Sequence, residues 1–335
     1  SRPFGRVEGI SAAVMRASLA LPVVRLKADC HAKVRGVPRR HIVRESSEKM
    51  SSETSKAPVL FDRALLKARQ DRAARLGAAT FLLDRVVNDA GERLAAVNRN
   101  FAAGIDLATP GDSLRVALET RGVALRPVEI ACDDSAALPL APGSIDLAMS
   151  LLALQFVNDL PGVLAQVRRA LKPDGLLLAA MVGGDTLIEL RQAFAAAEAE
   201  VEGGASPHVS PFADLRDAGG LLQRAGFALP VTDFERLTVR YDNAFALMQD
   251  LRRMGATNVL VERRKTPSRR ATMLRMAQIY SERFADPDGR IRATFDIVWL
   301  LGWAPDASQP KPLRPGSAKF SLEDAVKKMG EKKQA

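Results

Sequence analysis

The stretch that most constrains this chain runs from Ser144 to Gly184: SIDLAMSLLALQFVNDLPGVLAQVRRALKPDGLLLAAMVGG. Its first apolar run, Ile145 to Met149, is too short for a helix and follows the turn signal Pro142-Gly143, so a strand is expected there. Asp159 precedes Leu160 and Pro161, a helix start with proline in the first turn, where a missing N–H costs nothing. Leu160, Val163, Leu164, Val167 and Leu171 recur at spacings of three and four, which gives one apolar helical face and leaves Arg168 and Arg169 off it. Lys172-Pro173-Asp174-Gly175 ends that helix. The run after it, LLLAAMV, is apolar on both sides, as suits a strand covered by helices on both faces. Strand, crossover helix and strand within one such span make a βαβ unit with parallel strands. Ligands in such sheets bind beyond the carboxyl ends of the strands, here near Ser150 and Met181 to Gly184.

The rest of the chain extends that pattern. Helices are expected over residues 61–76 and 80–97, with Gly77 between them, then a first strand over 101–107 running into Ala-Thr-Pro-Gly-Asp. Asp112 caps a further helix. The second strand is expected at Val128 to Cys132, with Cys132 as a packing residue, followed by Asp133-Asp134 and the turn Leu138-Pro139-Leu140; the interval from Gly122 to Val128 leaves no room for another strand. Helices over 186–201 and 214–225, a strand over 231–241, helices over 243–254 and 267–284, and a strand over 291–303 follow. Strands alternating with helices predict one doubly wound, mostly parallel α/β sheet. Its last two strands form an antiparallel pair interrupted by a helical insertion at 243–286. The domain is expected to span 58–304, with a C-terminal tail over 305–335.

Charge sets the first 57 residues apart. Residues 1–49 hold 11 Lys/Arg and 4 Asp/Glu, so the rest of the chain carries only a small share of the net charge of +10. This basic, acid-poor segment reads either as a transit-type leader or as a disordered extension ahead of a start at Met50. A near-neutral body with 5% aromatics offers no base-stacking platform, and nucleic acid is set aside as a partner. No apolar run approaches the roughly 20 residues of a membrane span. Two cysteines far apart, Cys30 and Cys132, fit a reducing compartment: the cytoplasm, or the mitochondrial matrix for a eukaryotic source. Only His208 of three histidines lies in the body, which leaves little material for a histidine-built metal site. As a lone imidazole in the Pro-broken loop SPHVSPF, it reads as structural rather than catalytic. The basic run Arg263 to Arg270 reads as a solvated helix face or, less directly, as a grip on an acidic partner. Gly183-Gly184-Asp185 form either a pocket mouth or a helix cap.

These residues resemble a known family. The string from Ile145 to Arg191 is similar to the post-core region of class I S-adenosylmethionine (SAM)-dependent methyltransferases. EGGASPHVSPFADLRDAGGLLQRAGF, LMQDLRRMGATN and ATFDIVWLLGWAPDASQPKPLRPGSA resemble, more narrowly, the respiratory complex I assembly-factor branch, whose mitochondrial member is described as an arginine hydroxylase; the malonyl-carrier-protein methyltransferase BioC is near it. The resemblance implies a seven-stranded-type, Rossmann-like sheet and SAM as cofactor. It implies that Asp106, Ala108 and Gly111 meet the cofactor at the turn after the first strand, that Asp133 and Asp134 meet its adenosine, and that Ser150, Leu151 and Gln155 line the site. Asp106 is followed by Leu-Ala-Thr-Pro-Gly-Asp where the family has a Gly-rich turn, and Gln155-Phe156 stand where it often has His-Trp. The implied substrate is a protein, such as a complex I subunit, or a carrier-bound group; a member that has lost cofactor affinity would serve as an assembly chaperone instead.

Overall fold

The computed structural model describes residues 59–132 and 136–310; the basic N-terminal segment, Asp133, Asp134 and the tail beyond residue 310 lie outside the described residues. Helices α1 (Arg63–Arg75) and α2 (Phe81–Ala95) lead into strand β1 (Gly104–Leu107), helix α3 (Ser113–Glu119) and strand β2 (Leu125–Val128). Strand β3 (Ile145–Leu151), helix α4 (Leu160–Ala170) and strand β4 (Leu171–Gly183) are the expected βαβ unit. The Asp159 side chain accepts from Gly162 N at 2.9 Å and caps α4 as its sequence predicts. Helices α5 (Ile188–Glu202) and α6 (Leu215–Arg224), strand β5 (Ala228–Tyr241), helices α7 (Ala244–Arg253) and α8 (Arg270–Phe284) and strand β6 (Ile291–Trp303) complete it.

Among the described residues six strands form one sheet in the order β2-β1-β3-β4-β6-β5. The first four are parallel; β6 runs antiparallel to both β4 and β5. The class I arrangement is therefore present, with six of its strands among the described residues. Two local expectations are corrected. The second strand lies at Leu125–Val128, in the interval judged too short for one, and pairs directly with β1. Pro127 hides it in the sequence, yet β2 is an edge strand, where a missing N–H leaves no ladder bond unmade. Cys132, beyond that strand, is exposed rather than packed.

Alternation along β4 shows why its sequence is apolar throughout. Leu176, Leu178 and Ala180 pack with α2, α5, α7 and α8 on one face, while Leu177, Ala179 and Met181 pack with α4 and α6 on the other. A smaller third cluster joins Phe61 and Leu66 of the α1 region to Phe156, Val259 and Leu260. Among the described residues no helix is long and apolar enough to cross a membrane.

Candidate functional site

The chain leaves β1 for β2 on one side and returns to β3 on the other, so the sheet's switch point, where α/β sheets take ligands, lies between β1 and β3. Asp106 sits there, near the end of β1, only 2% exposed. Its Oδ2 accepts from Arg115 Nη1 of α3 at 2.8 Å and its Oδ1 from Thr109 N at 3.3 Å. Burial pushes the Asp106 carboxyl above its ordinary range, against the opposing pull of Thr109 and Arg115.

The turn that follows keeps the shape of a Gly-rich turn with other residues. Ala108 is left-handed (φ 57°), a conformation that strains a residue with a Cβ by roughly 1–2 kcal/mol. Its N–H donates to Val128 O at 2.9 Å, and Gly111 is left-handed too. Two hydrogen bonds then tie this turn to the end of β3. Leu151 N donates to Thr109 Oγ1 at 3.0 Å, and Ser150 Oγ donates to Leu107 O at 2.8 Å, all in buried surroundings. Gln155 Nε2 donates to Leu152 O at 2.7 Å, and its Oε1 is buried without a partner among the described residues.

The turn keeps left-handed backbone at Ala108 and Gly111, as a SAM loop needs, while its polar groups are engaged within the chain. Asp106 and Ser150 are bonded within the chain, and Pro110 has no N–H to offer. The Thr109 hydroxyl is turned onto Leu151 N of β3. Asp133 and Asp134 lie outside the described residues. The structure thus brings Asp106, Ala108, Ser150, Leu151 and the Thr109–Gly111 turn together, with Gln155 just beyond the end of β3. Sequence reading missed Thr109 and Arg115, because neither belongs to a spacing motif; only Arg115's place on the helix after Asp106 could have flagged it.

The same edge of the sheet is roofed by the start of the described chain. Asn158 Oδ1 accepts from Leu60 N at 2.9 Å and Phe61 N at 2.8 Å, and Asn158 Nδ2 donates to Phe61 O at 3.1 Å. Arg63 donates to Ile130 O at 2.9 Å and to Phe156 O at 3.4 Å, reaching the loops after both β2 and β3. Asp62 N donates to Val259 O at 2.8 Å, and Phe61 meets Phe156 edge-on. This clasp was not legible, because Asn158-Asp159 reads as a simple turn before α4.

Other residues singled out in the sequence have structural explanations. His208 lies with Nε2 2.8 Å from Glu198 Oε1 and its ring stacked on Phe194 at 3.8 Å. Burial alone would raise the Glu198 carboxyl; bonds from His208 and Ser206 outweigh it and hold it below its ordinary range. A Cβ on Gly183 would fall 2.5 Å from Val298 Cγ2, and one on left-handed Gly184 2.8 Å from Asp296 Oδ2, so close packing rather than a ligand explains that pair. Trp299 and Tyr241 pack in the core, with Trp303 partly buried against it.

With that geometry in hand, the likenesses are clear. A family model described as "Methyltransferase domain" matches residues 90–179, from the end of α2 into β4. "Arginine-hydroxylase NDUFAF5, mitochondrial" of Danio rerio is 35% identical over 289 residues, covering 80% of this chain and 90% of the relative. The human protein of that name is 37% identical over 284 residues, covering 78% and 82%. "Malonyl-[acyl-carrier protein] O-methyltransferase" of Xylella fastidiosa (strain M23) is 42% identical over 184 residues, covering 55% of this chain and 60% of the relative. Fold, matched domain and identity across about four-fifths of its length agree: the chain belongs to the class I methyltransferase-like family, in the branch of the arginine hydroxylase NDUFAF5.

Proposed function

We propose that this enzyme hydroxylates an arginine side chain of a protein substrate during assembly of respiratory complex I, one atom of dioxygen entering a C–H bond and the other leaving as water with two electrons from an external reductant. The observation that carries this is the extent of the likeness. Identity to proteins named arginine hydroxylases covers about four-fifths of the chain, whereas the carrier-protein methyltransferase relative matches 55% of it. The engaged Asp106, Thr109 and Ser150 also favour a member that has moved away from methyl transfer. A protein substrate gives the clasped roof over the switch point a purpose, since a long chain must be positioned at one residue. The compartment proposed is the mitochondrial matrix for a eukaryotic source and the cytoplasm otherwise.

A second reading, SAM-dependent methyl transfer to the same kind of substrate, is favoured by the retained left-handed turn at Ala108 and Gly111. The experiment that separates them is mass spectrometry of complex I subunits from cells with and without this gene. An arginine that gains one oxygen only when the gene is present supports oxidation. A gene-dependent methyl group supports the second reading, and no change sinks both in favour of an assembly chaperone. In parallel, millimolar SAM is expected to leave the melting temperature of the purified chain unmoved, whereas ligand at 100 times its Kd would stabilise by about 2.7 kcal/mol.

A further inference from the structure

Charge in the folded domain is distributed unevenly. Residues 59–310 hold 30 Lys/Arg and 31 Asp/Glu, yet residues 62–75 and 252–270 together hold 12 and 3. Everything else in that span has 18 basic against 28 acidic residues. The two basic segments are one surface. Asp62 N bonds Val259 O, Arg69 bonds Asn258 O, and Arg253 Nε bonds Gly77 O at 2.8 Å. Some charge there is neutralised locally, as in Arg264 with Glu202 and Lys67 with Asp71. At its centre it is not. Arg63 and Arg69 donate to main-chain carbonyls, which satisfy an N–H without offsetting the charge, and Arg72 Nε is buried without an acceptor among the described residues. Arg263 donates to Leu260 O at 2.8 Å and meets the Asp62 carboxylate at 3.4 Å. Burial and then the nearby charges of Arg263 and Arg72 push the Arg69 guanidinium down from its ordinary range, so these cations crowd one another.

Beside them lies exposed apolar surface. Val59, Leu60 and Val261 are 58%, 46% and 40% exposed, and Val261 N donates to Leu60 O at 2.9 Å, which makes the last two neighbours. Apolar contacts flanked by arginines are the composition of a protein interface. Nucleic acid fits less well, because the rest of the domain is acidic. That acidic remainder equally repels a flat anionic membrane.

We propose that the face of α1 and residues 258–270, with Leu60 and Val261 set among Arg69, Arg72 and Arg263, docks an acidic, partly apolar segment of the protein substrate. The assignment rests on the reading that the substrate is a protein. It gives the basic run around Arg263 a role, and it places the docked segment at the roof of the switch point, because α1 is the helix that Arg63 and Asn158 clasp to the loops after β2 and β3. Arginine suits the task, since its planar fork meets carboxylates two bonds at a time.

The test is fluorescence anisotropy of the full chain with a short labelled peptide of alternating glutamate and leucine. Binding is expected, weakened by high salt, and reduced by at least about tenfold in the double variant Arg69→Glu, Arg263→Glu, because like charges then face each other. Arg216→Glu, on exposed α6, should bind as the unaltered chain does. Should the arginine variant misfold, Leu60→Asp with Val261→Asp changes only exposed positions and must weaken binding as well. No binding, binding indifferent to these variants, or equal affinity for a single-stranded oligonucleotide or phosphatidylserine vesicles overturns the assignment. Since the peptide assay involves no turnover, a gene-dependent arginine modification alongside failed docking would sink the docking face alone.

Discussion

Two buried aspartates stand at the carboxyl edge of the parallel strands, and they are held differently. Asp296 of β6, fully buried, takes three N–H donors: Arg236 Nε at 2.7 Å, Arg236 Nη2 at 2.8 Å and Asp185 N at 2.9 Å. Asp106 of β1, as deeply buried, takes two, from Arg115 and Thr109. The fuller set makes Asp296 a clamp between the antiparallel strands and the β4–α5 turn, with an outer link from Arg236 to Asp185. Asp106 keeps a raised carboxyl because its donors do not make up for the water it has lost. With similar burial, three donors lock Asp296 between two strands and a turn, whereas Asp106 has two.

The largest effect that would break this contrast concerns Asp296. Asp296→Ala removes the acceptor of Asp185 N and two bonds from a half-exposed Arg236, which keeps Asp185, and should cost about 2–3 kcal/mol by urea unfolding; a cost under about 0.5 kcal/mol would make the clamp incidental. Next comes the bridge between β1 and β3. Thr109→Val keeps the shape and leaves the buried Leu151 N–H without its acceptor, which should cost about 1–3 kcal/mol. An unchanged midpoint would show that the bridge is not a closure. The smallest effects are in pH.

Asp106 has a raised folded pKa, so the native state binds the extra proton. Relative to Asp106→Asn, the unaltered chain should therefore gain stability as pH falls from the raised value toward that of the unfolded chain. Glu198 has the opposite sign. Its carboxyl is held low, so its contribution is present above the unfolded value and lost as pH falls through the folded one; Glu198→Gln should abolish that loss. Parallel pH profiles for the two variants would erase the distinction between the two environments.

Much of this architecture could be read from the chain. The run LLLAAMV needs helices on both faces and has them, and Ile291 to Trp303 is the strand its β-branched and aromatic content suggests. What stayed hidden depends on long-range pairing. Leu125–Val128 carries a proline and reads as a break until the sheet makes it an edge. Asp106 was visible as a strand-end acid, while its ion-pair partner, Arg115, lies on a seven-residue helix with no rule linking the two. Asn158 looks like a turn residue because the main chain it grips is 97 positions away.

Because the clasp at Asn158 holds main-chain atoms of Leu60 and Phe61, side-chain substitution at those two positions leaves its hydrogen bonds in place, whereas a missing segment does not. An expression boundary drawn at the first helical residue, Arg63, would remove the tether and keep the helix. The recombinant product would then look folded by circular dichroism and still have lost its main-chain tie to the loop after β3.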